Sequence, residues 1–187
     1  MMSPEFVKEV HQHAKLLITP SQISHAYDQM AEAITRDLQD ENPIFVCLMN
    51  GGLFATAELT KRLNFPLQID YVQASRYGNN YQGDQLTWIK SPNINPQNRT
   101  VVICDDILDG GITLGESVRY FESLGAGRII TAVLLDKQVN RASNGLREAG
   151  YAGLTIGDYF VYGCGLDYHG YFRNVPAIYA VDPKHMI

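Results

Sequence analysis

The chain has 187 residues, 45% of them hydrophobic and 19% charged, with a formal net charge of -5 at pH 7. A chain of this length buries roughly 70% of the surface its unfolded form exposes, so one core-bearing domain over residues 1–187 is expected. The acidic balance argues against a nucleic-acid or membrane-surface partner, and no stretch approaches the roughly 20 apolar residues needed to span a bilayer.

The three cysteines, Cys47, Cys104 and Cys164, are too widely spaced for a zinc site or a CxxC pair. Cys47 and Cys104 lie inside apolar runs and read as buried, reduced thiols. The opening MMSPEFVKEVHQHAKLL has no apolar signal-peptide core. A cytoplasmic location is the expectation.

The first 42 residues read as helical. Ser3 can cap a helix that has Pro4 at its first position. A second helix is expected over about 21–39, where Ile23, Tyr27, Met30, Ala31, Ile34 and Leu38 recur at helical spacing. After Pro43 the run IFVCLM is short and continuously apolar, as in a strand buried on both faces. Asn50, Gly51 and Gly52 end it, and LFATAELTKRL follows as a helix. LQIDYVQ alternates like a strand. The Gly-, Asn- and Gln-rich segment from Ser75 to Gln85 reads as a mobile excursion, and LTWIK as a strand beyond it. VVIC (101–104) is the next buried strand. A helix is expected from about Thr113 to Gly125, then the buried strand RIITAVLLD.

Alternating strands and helices with short apolar strands imply an α/β fold, a mainly parallel sheet with helices on both faces. Ligands of such sheets usually sit at the carboxyl ends of the strands. Asn50-Gly51-Gly52, the stretch 105–113, and Asp136-Lys137 all follow strands, so three polar turns are expected along one rim. From Gly150 the pattern loosens into a stretch dense in Gly, Tyr and Phe. It reads as a small hood folded over the rim (core about 1–150, hood mainly about 151–187), with AIYAV as a last strand.

The stretch VVICDDILDGGITL carries the chemistry. Gly110, Gly111 and the following helix start can present backbone N–H groups to a phosphate, with the Thr113 hydroxyl as a further donor. Asp105 and Asp106 can hold a hydrated Mg²⁺ or sugar hydroxyls. A phosphate beside three carboxylates would be repelled, so the pattern fits a ligand carrying both a phosphate and a diol, with charge separation or a metal. The bland alternative is an Asp-Gly turn with acids favouring the helix dipole. The five histidines share no ligand spacing and read as structural or exposed.

This stretch resembles the phosphoribosyl-pyrophosphate (PRPP) loop of type I phosphoribosyltransferases, and more narrowly that of hypoxanthine-guanine phosphoribosyltransferases. The resemblance continues through LLDK (134–137) and FVYGCGLDYHGYFRN (160–174). It implies the type I phosphoribosyltransferase fold and transfer of the phosphoribosyl group from PRPP to hypoxanthine or guanine, with Mg²⁺. Asp105 and Asp106 would bind the ribose hydroxyls, with help from Mg²⁺. Asp109 would be the general base beside purine N7. Gly110, Gly111, Ile112 and Thr113 would cradle the 5′-phosphate. Lys137 would donate to purine O6, Phe160 would stack on the ring, and the Val161 and Asp167 backbones would touch its edge. Asp167 would also reach a second Mg²⁺. Arg173 would hold pyrophosphate with Asn50 and Gly51. Ser75, Arg76 and Tyr77 match the start of a mobile loop. Homologous enzymes are commonly dimers or tetramers, so a homo-oligomer is expected.

Three positions depart from the family pattern: Asn50 stands for the usual Lys, Gly110 for Thr, and Arg76 for Ser. Arg76 could supply charge missing at Asn50. Preference for xanthine is an alternative, as is a PRPP-fold regulator that binds RNA, which would need a basic face.

Overall fold

The computed structural model describes residues 2–76 and 86–186, with the side chains of Ser75 and Arg76 left out. Helix α1 (Pro4–His13) starts as expected. Ser3 accepts a hydrogen bond from the Phe6 amide, Pro4 occupies the first turn, and Val7 and Val10 are buried. The chain does not then run straight into a second helix. Lys15–Ile18 form strand β1, paired antiparallel with a strand near the other end of the chain. Helix α2 (Pro20–Leu38) begins at a reciprocal capping box between Thr19 and Gln22.

The central sheet follows. Strand β2 (Ile44–Met49) leads into α3 (Gly52–Thr60), then β3 (Gln68–Arg76), β4 (Leu86–Lys90) and β5 (Thr100–Leu108). Helix α4 (Ile112–Ser123), β6 (Arg128–Lys137) and β7 (Tyr151–Ile156) complete it. The six strands lie in the order β4-β3-β2-β5-β6-β7. All neighbours are parallel except β4, which pairs antiparallel with β3.

Successive residues of a strand face opposite sides, and the buried strands use both. Val102, Cys104, Ala132 and Leu134 pack with Tyr27, Met30, Ile34 and Leu59 from α2 and α3. Val101, Ile103 and Val133 pack with Leu114 and Phe121 from α4. The hood is a three-stranded sheet, β1-β9-β8, in which β8 (Val161–Tyr162) and β9 (Ile178–Ala180) come from the C-terminal region. Its core of Val10, Tyr162, Tyr168 and Val181 also takes in α1.

Three boundaries differ from the sequence reading. Strand β5 runs through Asp105 and Asp106 to Leu108, because β6 pairs along its whole length, Leu108 opposite Asp136. Residues 151–156, placed in the hood by their glycines, form edge strand β7 of the main sheet. There Gly153 lets α2 approach: a Cβ would lie 2.9 Å from the Leu134 carbonyl oxygen and 3.0 Å from the Met30 sulfur. Conversely, β1 and α1, from the start of the chain, belong to the hood.

Candidate active site

The carboxyl ends of β2, β5 and β6 converge on one rim. At β2 the peptide between Met49 and Asn50 is cis, and the chain turns through Gly51 into α3. This turn is pressed against β5. A Cβ on Gly51 would lie 2.4 Å from an Asp106 carboxylate oxygen, and one on Gly52 2.1 Å from the Cys104 carbonyl oxygen. The glycines that end β2 are therefore steric requirements of the acidic strand beside them.

Asp105 and Asp106 form a strained electrostatic pair. The Asp106 amide donates to the Asp105 carboxylate at 2.9 Å, and Asp106 is buried. Burial and then the neighbouring Asp106 charge push Asp105 well above the ordinary carboxylate range. Burial raises Asp106 to about 6, with the Arg173 guanidinium opposing the rise. Arg173 reaches this pair from the hood. One guanidinium nitrogen is 3.9 Å from Asp106, the other pairs with Asp167, and the Gly165 carbonyl accepts a further hydrogen bond. Gly165 lies against the β2 turn, where a Cβ would stand 2.4 Å from the Gly51 carbonyl oxygen. Asn50-Gly51, Asp105-Asp106, Asp167 and Arg173 are thus one neighbourhood.

Beyond the acids, residues 105–114 line a hollow of about 240 Å³. Gly111 has φ +81° and stands at the N-terminus of α4, and a helix N-terminus favours an anion. A Cβ on Gly111 would lie 2.4 Å from the Leu146 carbonyl oxygen, whereas one on Gly110 would meet nothing within 4 Å. The missing Thr at position 110 is therefore not a steric demand of this fold.

Lys137 ends β6 and is held between two carboxylates, Asp158 at 2.9 Å and Asp109 at 3.3 Å. Burial alone would lower its pKa, but the hydrogen bonds and charges of Asp158 and Asp109 outweigh it and hold it above the usual lysine value. The segment carrying Asp158 continues into Phe160, whose exposed ring is 5.9 Å from that of Tyr168, and into buried Val161. Tyr168 is fully buried and its hydroxyl donates to the His185 carbonyl, a packing role. Among the expected loop residues, Ser75 and Arg76 end β3 with side chains outside the described part, and Tyr77 lies outside the described residues.

Asp158 and Arg141 were not singled out from the sequence. Arg141 donates to the backbone carbonyls of Leu108, Asp109 and Lys137 and pairs with the Asp136 carboxylate. It ties the Asp109 turn to the Lys137 turn. The amides of Ala142 and Leu146, both at 2.9 Å, add bonds to the Gly110 and Gly111 carbonyls. The only local signal for Arg141 is its place four residues after Lys137, in a segment with no regular structure.

Such a site on such a sheet is the mark of proteins that handle phosphoribosyl groups. Residues 19–169 match the phosphoribosyl transferase domain family, and the chain belongs to it. It is similar to the hypoxanthine-guanine phosphoribosyltransferase of Bacillus subtilis, 31% identical over 174 residues, 92% of this chain and 96% of the relative. It is also similar to the hypoxanthine-guanine-xanthine phosphoribosyltransferase of Tritrichomonas foetus, 26% identical over 88% of this chain and 89% of the relative. Among solved structures, a hypoxanthine phosphoribosyltransferase from Staphylococcus aureus superposes with a TM-score of 0.87 at 28% identity, covering 100% of both chains. The Trypanosoma cruzi hypoxanthine phosphoribosyltransferase in complex with the product IMP gives 0.84 at 26% identity, over 91% of this chain and 95% of that one.

Proposed function

We propose that the protein is a purine-salvage enzyme that transfers the 5-phosphoribosyl group of PRPP to hypoxanthine or guanine, giving IMP or GMP and pyrophosphate. The observation that carries this reading is the Lys137–Asp109 pair at 3.3 Å, set on the same rim as a buried diacid and a glycine-started helix.

Each group has a task in that reaction. The backbone of Gly110, Gly111, Ile112 and Thr113 holds the 5′-phosphate. Asp105 and Asp106 receive the ribose hydroxyls, whose donors relieve the repulsion between the two carboxylates. A magnesium ion fits here, because the donors, Asp105, Asp106 and Asp167, are all hard oxygens and a single guanidinium, Arg173, faces the three of them. When bound with PRPP, Mg²⁺ neutralises charge on the diphosphate. Arg173, with the backbone at Asn50 and Gly51, holds the departing pyrophosphate. Asp109 accepts the N7 proton as the base attacks C1. Lys137 donates to O6. Adenine presents an amino donor there, which would leave the ammonium facing another donor and so be rejected. Phe160 covers the purine face, and the Val161 and Asp167 backbones meet its edge.

The apolar hollow lined by Met49, Leu53, Ile69 and Tyr71, where the last three side chains are exposed, supports a homo-oligomer. Light scattering on the purified chain reads it. The three buried free cysteines support a reducing, cytoplasmic setting, and no helix among the described residues is long and apolar enough to cross a membrane.

The test of the reaction is chromatographic. Protein incubated with PRPP, Mg²⁺ and hypoxanthine or guanine is expected to form IMP or GMP and pyrophosphate in equal amounts. Absence of both products while PRPP still binds would overturn the enzymatic reading and favour a ligand-sensing protein.

A further inference from the structure

On the hood, two residues of α1 meet a third from near the other end of the chain. Glu9 and His13 are four apart on α1 and so lie one above the other on the same helix face. His185 ends a short 3-10 turn, Pro183–His185, near the other end of the chain. One ligand atom from each residue lies within 4.8 Å of the other two. The His185 Nε2 is already 3.5 Å from a Glu9 carboxylate oxygen, close to the roughly 3.4 Å between ligands of a tetrahedral ion with bonds of about 2.1 Å.

The His13 ring is prepared in the way metal-binding imidazoles are. The His13 Nδ1 is 2.9 Å from the Glu9 carbonyl oxygen. A carbonyl only accepts, so this bond places the proton on Nδ1 and leaves the Nε2 lone pair free, the usual outer-shell arrangement of a metal-bound histidine. His185 is only 4% exposed. Its Nδ1 has no hydrogen-bond partner among the described residues, so the ring's one polar engagement is through Nε2, toward Glu9. The ring is fixed edge-on by Phe6, with centroids 5.7 Å apart, and its backbone carbonyl is held by the Tyr168 hydroxyl at 2.7 Å.

We propose that Glu9, His13 and His185 form a binding site for a divalent transition-metal ion of the zinc class, which clamps the C-terminal turn of the hood to α1. Two imidazoles and one carboxylate suit Zn²⁺, with a fourth position for water, and do not suit Mg²⁺, which demands oxygen ligands. The site is chemically distinct from the all-oxygen acids at the rim and does not depend on the proposed reaction.

The experiment is calorimetric titration of ZnCl₂ into tag-free full chain, in excess Mg²⁺ to occupy oxygen-only sites. One equivalent is expected to bind wild type and Asp105→Asn alike. Glu9→Gln and His13→Ala, both changes at exposed positions, are expected to bind at least about 10-fold more weakly, the smallest usual cost of disturbing such a set. Zinc is also expected to raise the unfolding temperature of wild type but not of His13→Ala. No binding, equal binding by wild type and His13→Ala, or binding lost only in Asp105→Asn would each overturn the proposal.

Discussion

Lys137 stands between Asp158 and Asp109, so in the proposed reaction one cation both pairs with the candidate general base and donates to purine O6. A charge-assisted hydrogen bond contributes about 1.5–3 kcal/mol. Lys137→Ala is therefore expected to lower kcat/KM for hypoxanthine roughly 10- to 100-fold while leaving the KM for PRPP little changed, as steady-state kinetics with each substrate varied would read. At the diacid the direction is reversed for stability. Both carboxyls have folded pKa values above the ordinary 3.8. The unfolded chain thus ionises first as pH rises, so the stability present below about pH 4 is lost as pH passes through about 6. Removing one charge relieves this. Asp105→Asn is expected to raise the stability of the protein at pH 7.5, visible in urea unfolding, and to make little difference at pH 4, while activity falls. Lower stability of the variant at pH 7.5 would contradict this account of the pair.

The turn after β5 shows how differently two adjacent glycines are used. Gly111 combines a left-handed backbone with a collision on Leu146, so Gly111→Ala is expected to destabilise by about 1–3 kcal/mol. Gly110→Thr, facing open space, is expected to stay within about 0.5 kcal/mol of wild type. Thermal unfolding of the two variants side by side checks this. Arg141 links this turn to the Lys137 turn, and Arg141→Met is expected to cost about 2–4 kcal/mol and to lower kcat for both bases together, since both the base and the O6 donor lose their support. The same elements show what a sequence can reveal. IFVCLM and RIITAVLLD announce buried strands because both faces are apolar. Asp105 and Asp106 hide the continuation of β5, because charged residues in a strand make sense only once a ligand site is known. KLLI continues the helical spacing of Val7 and Val10, and becomes β1 only through pairing with β9 at the far end of the chain. The glycines of β7 look like a loop until α2 is laid across Gly153.

At the scale of the whole molecule, the fold places chemistry by topology. A parallel sheet sends all its carboxyl ends to one rim, and the hood, stitched from both ends of the chain, brings Arg173 and Asp167 to the acids of β5. The PRPP-type stretch was legible because its residues are contiguous. The Glu9–His13–His185 cluster was not, because spacing along a chain cannot report a meeting between its two ends. In the proposed reaction Asp109, beside Lys137, serves the transfer of a phosphoribosyl group to a 6-oxopurine. Initial rates with PRPP and Mg²⁺, using hypoxanthine, guanine, xanthine and adenine in wild type and Asp109→Asn, test it most directly. Turnover of hypoxanthine or guanine is expected, with none of adenine and a loss of about 10²- to 10⁴-fold in kcat for the variant. Adenine turned over as fast as hypoxanthine, or a variant as fast as wild type, would contradict it.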